Sequence, residues 1–204
     1  ATGKTRKKHF TVETKGGLVT IELHLDRQGD ARVVTVDMGQ ATFKSAALPC
    51  TLPADELIQQ PIDAAGRSFT FTGVSVGNPH CVLFRPANEP WSREDLLALG
   101  PALEHHAIFP KRTNVQLAIP TGSNDISILI WERGAGETQA SGSSSCAAAS
   151  VAVRLGLVKS PVTVKMPGGT LYIEVAQDFR LTMQGPVAEV ARGTLSPSFV
   201  RSLK

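Results

Sequence analysis

The sequence predicts an α+β chain in which one apolar helix is wrapped by many short strands. The first observation behind this is the helix itself. From Ser145 to Leu155, the residues Ala147, Ala148, Ala149, Val151, Ala152, Val153 and Leu155 leave almost no polar face. A helix that is apolar all round is buried. The second is that short segments of strand composition, punctuated by Gly, Pro, Asn and Asp, fill most of the remaining chain. The third is an opening antiparallel meander, with alternating apolar positions and tight turns.

Taken in order, the meander comprises His9 to Thr14, a Lys15-Gly16-Gly17 turn, Leu18 to Leu25, an Asp26 to Asp30 turn and Ala31 to Val36. Met38 to Pro53 mixes Gly39, Pro49 and Pro53 with scattered apolar residues and reads as a crossing between layers or domains. Asp55 to Gln60 is expected to form a short helical turn closed by Pro61. Strands resume at Ser68 to Val76 and His80 to Phe84. Ser92-Arg93-Glu94-Asp95 has capping-box spacing ahead of Leu96, Leu97, Leu99 and Leu103, which predicts a helix from about Arg93 to His105 in spite of Pro101. Asn114 to Ile119 and Asp125 to Trp131 are strands around a Pro120 to Asn124 turn. A Gly/Ser-rich loop leads into the apolar helix. Val162 to Lys165, Thr170 to Ala176, Arg180 to Met183 and Val187 to Val190 complete the strands.

The chain has 204 residues, 42% of them hydrophobic, enough for one substantial core or two small ones. That composition excludes a disordered or collagen-like chain. The net charge of +3 includes only one basic cluster, Lys4 to Lys8, which is expected to be a solvated terminus and not a nucleic-acid surface. Cys50, Cys81 and Cys146 are odd in number and widely spaced, so a disulfide framework or zinc knuckle is not indicated and a reducing cytoplasm is expected. No apolar run approaches the roughly 20 residues of a membrane helix, and no leader pattern opens the chain. The chain begins with Ala1 in place of Met, which reads as a processed or cut terminus.

Several segments carry polar residues that strands and turns alone do not require. Gly77-Asn78-Pro79-His80 is explained in isolation as a turn. In Arg112-Thr113-Asn114, a poor β-former opens a strand, so a side chain aimed at a ligand competes with a merely local role. Glu132-Arg133 ends a strand beside a glycine loop, where an acid and a guanidinium suit the ammonium and carboxylate of an amino acid; a structural ion pair is the alternative. Ser141 to Ser145 resembles a flexible linker, yet it stops at a buried helix, whose N-terminal N–H groups and dipole suit a carboxylate. The run does not match a Gly-x-Ser-x-Gly nucleophile elbow. His105-His106 lies at a predicted helix end and is expected to complement its dipole or face solvent, not to bind metal.

In order and spacing, Gly77-Asn78-Pro79-His80, Arg112-Thr113-Asn114-Val115, Glu132-Arg133-Gly134-Ala135-Gly136-Glu137-Thr138 and Ala140-Ser141-Gly142 before Cys146-Ala147-Ala148-Ala149 resemble diaminopimelate epimerase, over essentially the whole chain. The resemblance implies two similar domains, each a β-barrel-like sheet around a central helix, the first of them incomplete. Residues 1–41 would be the remainder of the first domain, with 187–204 packing back on it, and 42–186 would be the second. It implies a PLP-independent epimerase that uses no cofactor and no metal and converts LL- to meso-diaminopimelate by two-base proton transfer at the α-carbon. The route is that of lysine and peptidoglycan precursors. Asn78, His80, Asn114, Glu132 and Arg133 would bind the substrate's distal end or line its pocket, and Gly142 and Ser143 would offer N–H groups to the reacting carboxylate. Ser141 would be the catalytic position. The partners implied are a small-molecule amino-acid substrate, no nucleic acid, no membrane, and a homodimer.

Two departures from the family's pattern stand out. Ser141 falls where the family has its second catalytic cysteine, and an alcohol is a far weaker acid than a thiol tuned at a helix N-terminus. Ser144 also stands where glycine is usual. The family's N-terminal segment, with the first catalytic cysteine in a Cys-Gly-Asn-Gly setting, has no counterpart here. Cys146, one turn beyond the rim, reads as buried packing. Two other readings compete: a related isomerase of the same fold with a non-cysteine catalytic residue, and an amino-acid-binding protein without catalysis.

Overall fold

The computed structural model describes residues 7–14, 17–191 and 193–203. Its strands are β1 (His9–Thr14), β2 (Gly17–Leu25), β3 (Ala31–Gln40), β4 (Gln60–Ala64), β5 (Arg67–Ser75), β6 (Pro79–Phe84), β7 (Asn114–Pro120), β8 (Asp125–Glu132), β9 (Gly136–Thr138), β10 (Val162–Met166), β11 (Gly169–Val175) and β12 (Arg180–Pro186). The helices are α1 (Arg93–Glu104), α2 (Gly142–Arg154) and α3 (Pro197–Ser202), with a single 3₁₀ turn at Ser45–Ala47. Most of the expected Lys4 to Lys8 cluster, and Lys15-Gly16 of the first expected turn, lie outside the described residues.

Burial of α2 organises the molecule. Every residue from Ser144 to Ala152 is buried, and the helix touches β5, β6, β7, β8, β10, β11 and β12. Its small side chains let strands approach from nearly every direction, so one mixed sheet curls around it. The strand order is β1-β2-β3-β12-β11-β10-β8-β7-β6-β5-β4, with β9 paired to β8. The two parallel pairings are β6 with β7 and β8 with β10, and each is spanned by a helix, α1 in the first crossover and α2 in the second. The sheet is not closed. Residues just past β3 narrow the gap, because Ala41 N donates to Phe179 O at 2.9 Å and Thr42 bridges Ser75 of β5. An α+β fold of one sheet around a central helix is therefore present, with an open edge.

Strands β6 and β7 are buried on both faces, which explains their nearly continuous apolar sequence. Val82 and Ala118 pack on the α2 side, and Cys81, Leu83, Val115 and Leu117 pack on the α1 side with Leu96, Leu99 and Leu103. Helix α1 starts as the sequence predicts. Ser92 Oγ accepts from Asp95 N, and the Asp95 carboxylate accepts from Ser92 N, so the capping box is complete. By contrast, the first buried residue among those described is Ala41; none of the described residues before it, all in or around the β1–β3 meander, is buried.

Four expectations need correction. Asp55 to Gln60 is not a helical turn. Leu57 N donates to Phe43 O and Leu57 O accepts from Gly73 N, so its backbone is committed to distant strands. Gly73 has no side chain because a Cβ there would lie 2.9 Å from Leu57. Helix α2 begins at Gly142, three residues before the expected start, because Ser141 in extended conformation serves as its N-cap. Strand β3 runs on to Gln40 by pairing with β12, into the expected crossing. Val187 to Val190 is not a strand: Val187 N still reaches Arg32 O, but Val190 is 95% exposed. Elements β4, β9 and α3 were not anticipated.

Gly100 in α1 faces Trp131 so closely that a Cβ would sit 2.5 Å from the indole. Glycine to alanine in a helix interior ordinarily stabilises by about 0.5–1 kcal/mol. Gly100→Ala is expected to do the reverse, costing about 1–3 kcal/mol as overpacking, measurable by urea unfolding.

Candidate active site

The fold brings Asn78, Asn114, Glu132 and Arg133 to one end of the interior strands β6, β7 and β8. Parallel pairing of β6 and β7 sets His80 opposite Asn114, and antiparallel pairing of β7 and β8 carries Asn114 beside the β8–β9 turn. Asn114 is the brace between two segments. Its Nδ2 donates to Pro79 O at 2.8 Å, and its Oδ1 accepts from Arg133 N at 3.0 Å. Both of its amide atoms are thus engaged within the protein, which accounts for asparagine at the head of a strand.

Glu132 and Arg133 form no ion pair with each other. The Arg133 guanidinium donates instead to Lys111 O at 3.2 Å, while among the described residues the half-buried Glu132 carboxylate accepts no hydrogen bond. An unspent carboxylate beside an anchored guanidinium can receive an ammonium and a carboxylate from one ligand. The turn that follows them is held by Glu104, at the end of α1. Its Oε1 accepts from Gly134 N at 2.8 Å and from Arg112 at 3.2 Å, and its Oε2 accepts from Trp131 Nε1 at 2.7 Å. Burial works to raise the Glu104 pKa, but Trp131, Gly134, His105 and Arg112 outweigh it and hold the carboxyl below its ordinary value. Glu137 of the Gly-Glu-Thr run forks with Arg93 at 2.8 and 2.7 Å, tying β9 to α1.

Ser141 lines an open depression of about 260 Å³ with Gly142, Met166, Gly168 and Gly169. Its Oγ accepts from Ser144 N at 3.5 Å, a weak cap. Gly142 and Ser143 are the first residues of α2, whose N–H groups have no intrahelical acceptor and carry the positive end of the dipole. Gly142 packs under Met183, whose Sδ would lie 2.9 Å from a Cβ at this position, so a larger residue would require that flexible side chain to move. No acid or histidine hydrogen-bonds Ser141 among the described residues. A larger surface groove of about 530 Å³ follows Asp30 to Arg32 and Val187 to Glu189 and contains none of these groups.

His80 lies beneath this surface and is fully enclosed, with Nδ1 3.2 Å from Gln116 Oε1 and Nε2 3.0 Å from Asn78 Oδ1. Gln116 Nε2 is in turn 3.1 Å from Ser144 Oγ. A continuous polar chain therefore joins half-exposed Asn78 to the N-terminus of α2. Burial pushes the His80 pKa down to about 3, helped by the positive Arg133. Burial pushes the Cys146 thiol up to about 12, in keeping with packing and not with proton transfer.

The diaminopimelate epimerase family profile matches residues 72–190. The chain belongs to the diaminopimelate epimerase family. It is 40% identical to the diaminopimelate epimerase of Desulfitobacterium hafniense over 95% of its own length and 67% of the relative's. It is 41% identical to diaminopimelate epimerase 2 of Nostoc sp., covering 95% of this chain and 66% of that protein. The chain thus spans about two thirds of the length of these family members. Among solved structures, a predicted epimerase from Pseudomonas aeruginosa matches with a TM-score of 0.61 at 21% identity, over 95% of this chain and 68% of that one. A hydroxyproline epimerase from Agrobacterium vitis, with trans-4-hydroxy-L-proline bound, matches with a TM-score of 0.62 at 14% identity, over 90% and 58%. These two likenesses concern the fold.

Of the residues the sequence singles out, Asn78, Asn114, Glu132 and Arg133 are brought together at one end of β6, β7 and β8, and His80 supports Asn78 from below. Ser141, Gly142 and Ser143 stand at the helix terminus reached through Gln116. Gln116, Ser144 and Glu104 were not anticipated as parts of the site. A glutamine in an otherwise apolar strand and a glutamate at a helix C-terminus, where the dipole disfavours it, were the available signals.

Neutral His80 makes stability pH-dependent. Its folded pKa, about 3, lies below the ordinary 6.5, so between these values the unfolded chain binds a proton that the native state refuses. Stability is expected to fall on acidification by up to about 1.4 kcal/mol per pH unit. The lowered carboxyls, Glu104 among them, contribute only as pH drops below about 4.5, which leaves pH 6.5 to 4.5 as the His80 window. Urea midpoints across that window should slope in the wild type and flatten in His80→Gln.

Proposed function

We propose that this chain supplies the distal-group subsite and one of the two proton-transfer faces of a PLP-independent epimerase that interconverts LL- and meso-diaminopimelate. The observation that carries this is the unspent Glu132 carboxylate beside the anchored Arg133 guanidinium, at strand ends that the Asn78–His80–Gln116–Ser144 chain ties to the N-terminus of α2. A substrate with an amino acid at each end can satisfy both: its distal ammonium and carboxylate at Glu132 and Arg133, its reacting carboxylate at the N–H groups of Gly142 and Ser143. Electrostatic stabilisation by such fixed donors is what removal of a weakly acidic α-proton demands. On this reading residues 42–186 form the second domain and the β1–β3 meander belongs to the first, in line with the absence of fully buried side chains among its described residues. Three free thiols fit a cytoplasmic enzyme of lysine and peptidoglycan precursor synthesis. The apolar Phe199 and Leu203, exposed on and beside α3, are surface that a homodimer could cover.

Ser141 favours a second reading. Its hydroxyl caps α2 and has no hydrogen-bonded base among the described residues, so the pocket would be kept for binding while the proton transfer at this face is lost. The two readings separate in deuterated water. Full-length protein incubated with LL-diaminopimelate exchanges the α-proton with inversion if it is an epimerase; binding without exchange leaves the second reading.

On the epimerase reading, Ser141→Cys is expected to speed exchange by about 10²- to 10⁴-fold, the usual worth of a matched acid–base group. An unchanged or slower rate, from a folded variant, would mean that this position does not move the proton.

A further inference from the structure

Four side chains stand in line from the segment before β6 to the N-terminus of α2. Ser144 Oγ is 3.1 Å from Gln116 Nε2, Gln116 Oε1 is 3.2 Å from His80 Nδ1, and His80 Nε2 is 3.0 Å from Asn78 Oδ1. In that arrangement both ring nitrogens face amide oxygens, so the ring would have to be a doubly protonated imidazolium. A fully enclosed ring near the positive Arg133 is neutral instead and has a single N–H. One of the two amides is therefore turned over, an exchange that leaves its shape unchanged.

Turning Asn78 would put the ring proton on Nδ1, with Gln116 Nε2 donating to Ser144 Oγ. Ser144 is fully buried, and among the described residues its Oγ has no other partner. Its hydroxyl proton would then be stranded, with the whole desolvation cost of an unmet donor. Turning Gln116 leaves none of the links unmet: Ser144 Oγ–H donates to Gln116 Oε1, Gln116 Nε2 donates to His80 Nδ1, and His80 Nε2–H donates to Asn78 Oδ1. A fully satisfied network is the arrangement a buried site keeps.

We propose that Ser144 sets the direction of this chain, fixing the proton of His80 on Nε2 and thereby holding Asn78 Oδ1 to the ring, so that the Nδ2 amino group of this half-exposed residue is turned away from it. Asn78 is then a donor, fitted to a ligand carboxylate and not to an ammonium. Gln116 and Ser144 are positioning residues that act through His80 on Asn78. The carboxylate assignment rests on the diaminopimelate reading, whereas the position of the ring proton does not.

The ring ¹⁵N resonances of His80, recorded on labelled protein at neutral pH, distinguish a protonated from a bare nitrogen. The expected spectrum has the proton on Nε2 and a bare Nδ1; a proton on Nδ1, or on both nitrogens, would overturn the proposal. Ser144→Ala, checked for native dispersion of its spectrum, should lose the single Nε2–H form. Persistence of that form would remove Ser144 from the role even if the wild-type ring agrees. Titration with meso-diaminopimelate should move the Asn78 Nδ2 proton signals of the wild type. If diaminopimelate does not bind, the carboxylate assignment falls together with the functional reading, and the ring spectrum still decides the direction of the chain.

Discussion

Enclosure of α2 by the curled sheet is the constraint from which the rest follows. Seven strands touch this helix, so its N-terminus cannot shift relative to the ends of β6, β7 and β8 without disturbing the core. The small residues that permit such enclosure, Ala147 to Ala149 and the serines before them, also bring Ser144 within reach of Gln116 on β7. Packing therefore decides chemistry here: an apolar contact surface fixes where the backbone N–H groups of Gly142 and Ser143 point. Donors positioned in this way need no reorganisation when charge develops in front of them.

Two buried titratable groups brace the ends of β6, β7 and β8, and their surroundings drive them in opposite directions. His80 sits between the amides of Asn78 and Gln116, which offer no charge to offset desolvation, and it stays neutral. Glu104 collects the indole N–H of Trp131, the amide of Gly134 and the guanidinium of Arg112, and it stays ionised. Each serves the strand ends that carry the binding residues. His80 holds Asn78, while Glu104 and Asn114 hold the consecutive amides of Gly134 and Arg133. The Arg133 guanidinium is thus presented from a turn pinned at both of its peptide units.

The central helix and most strands were legible because their signals are local: an all-apolar run, period-two alternation, and the Ser92–Asp95 capping box. The start of α2 was not, since Ser141 and Gly142 are poor helix formers in isolation and serve as cap and first turn of a helix whose body is buried from Ser144 on. Asp55 to Gln60 misled for a similar reason, its backbone being claimed by Phe43 and Gly73, far away in sequence. The site was legible as a set of segments, Gly-Asn-Pro-His through Ala-Ser-Gly, because their order is characteristic. How they are joined was not legible. Asn114 as a brace, and the Gln116–Ser144 link, depend on strand register that no local pattern encodes.

The central claim is that the ends of β6, β7 and β8, together with the N-terminus of α2, recognise both ends of a diamino diacid. Calorimetric titration of the protein with meso-diaminopimelate and with 2-aminopimelate, which lacks the second ammonium, tests it directly. Recognition by Glu132 predicts at least about tenfold weaker binding of the second compound, since a charge-assisted hydrogen bond is worth about 1.5–3 kcal/mol. Equal affinity for the two would contradict it.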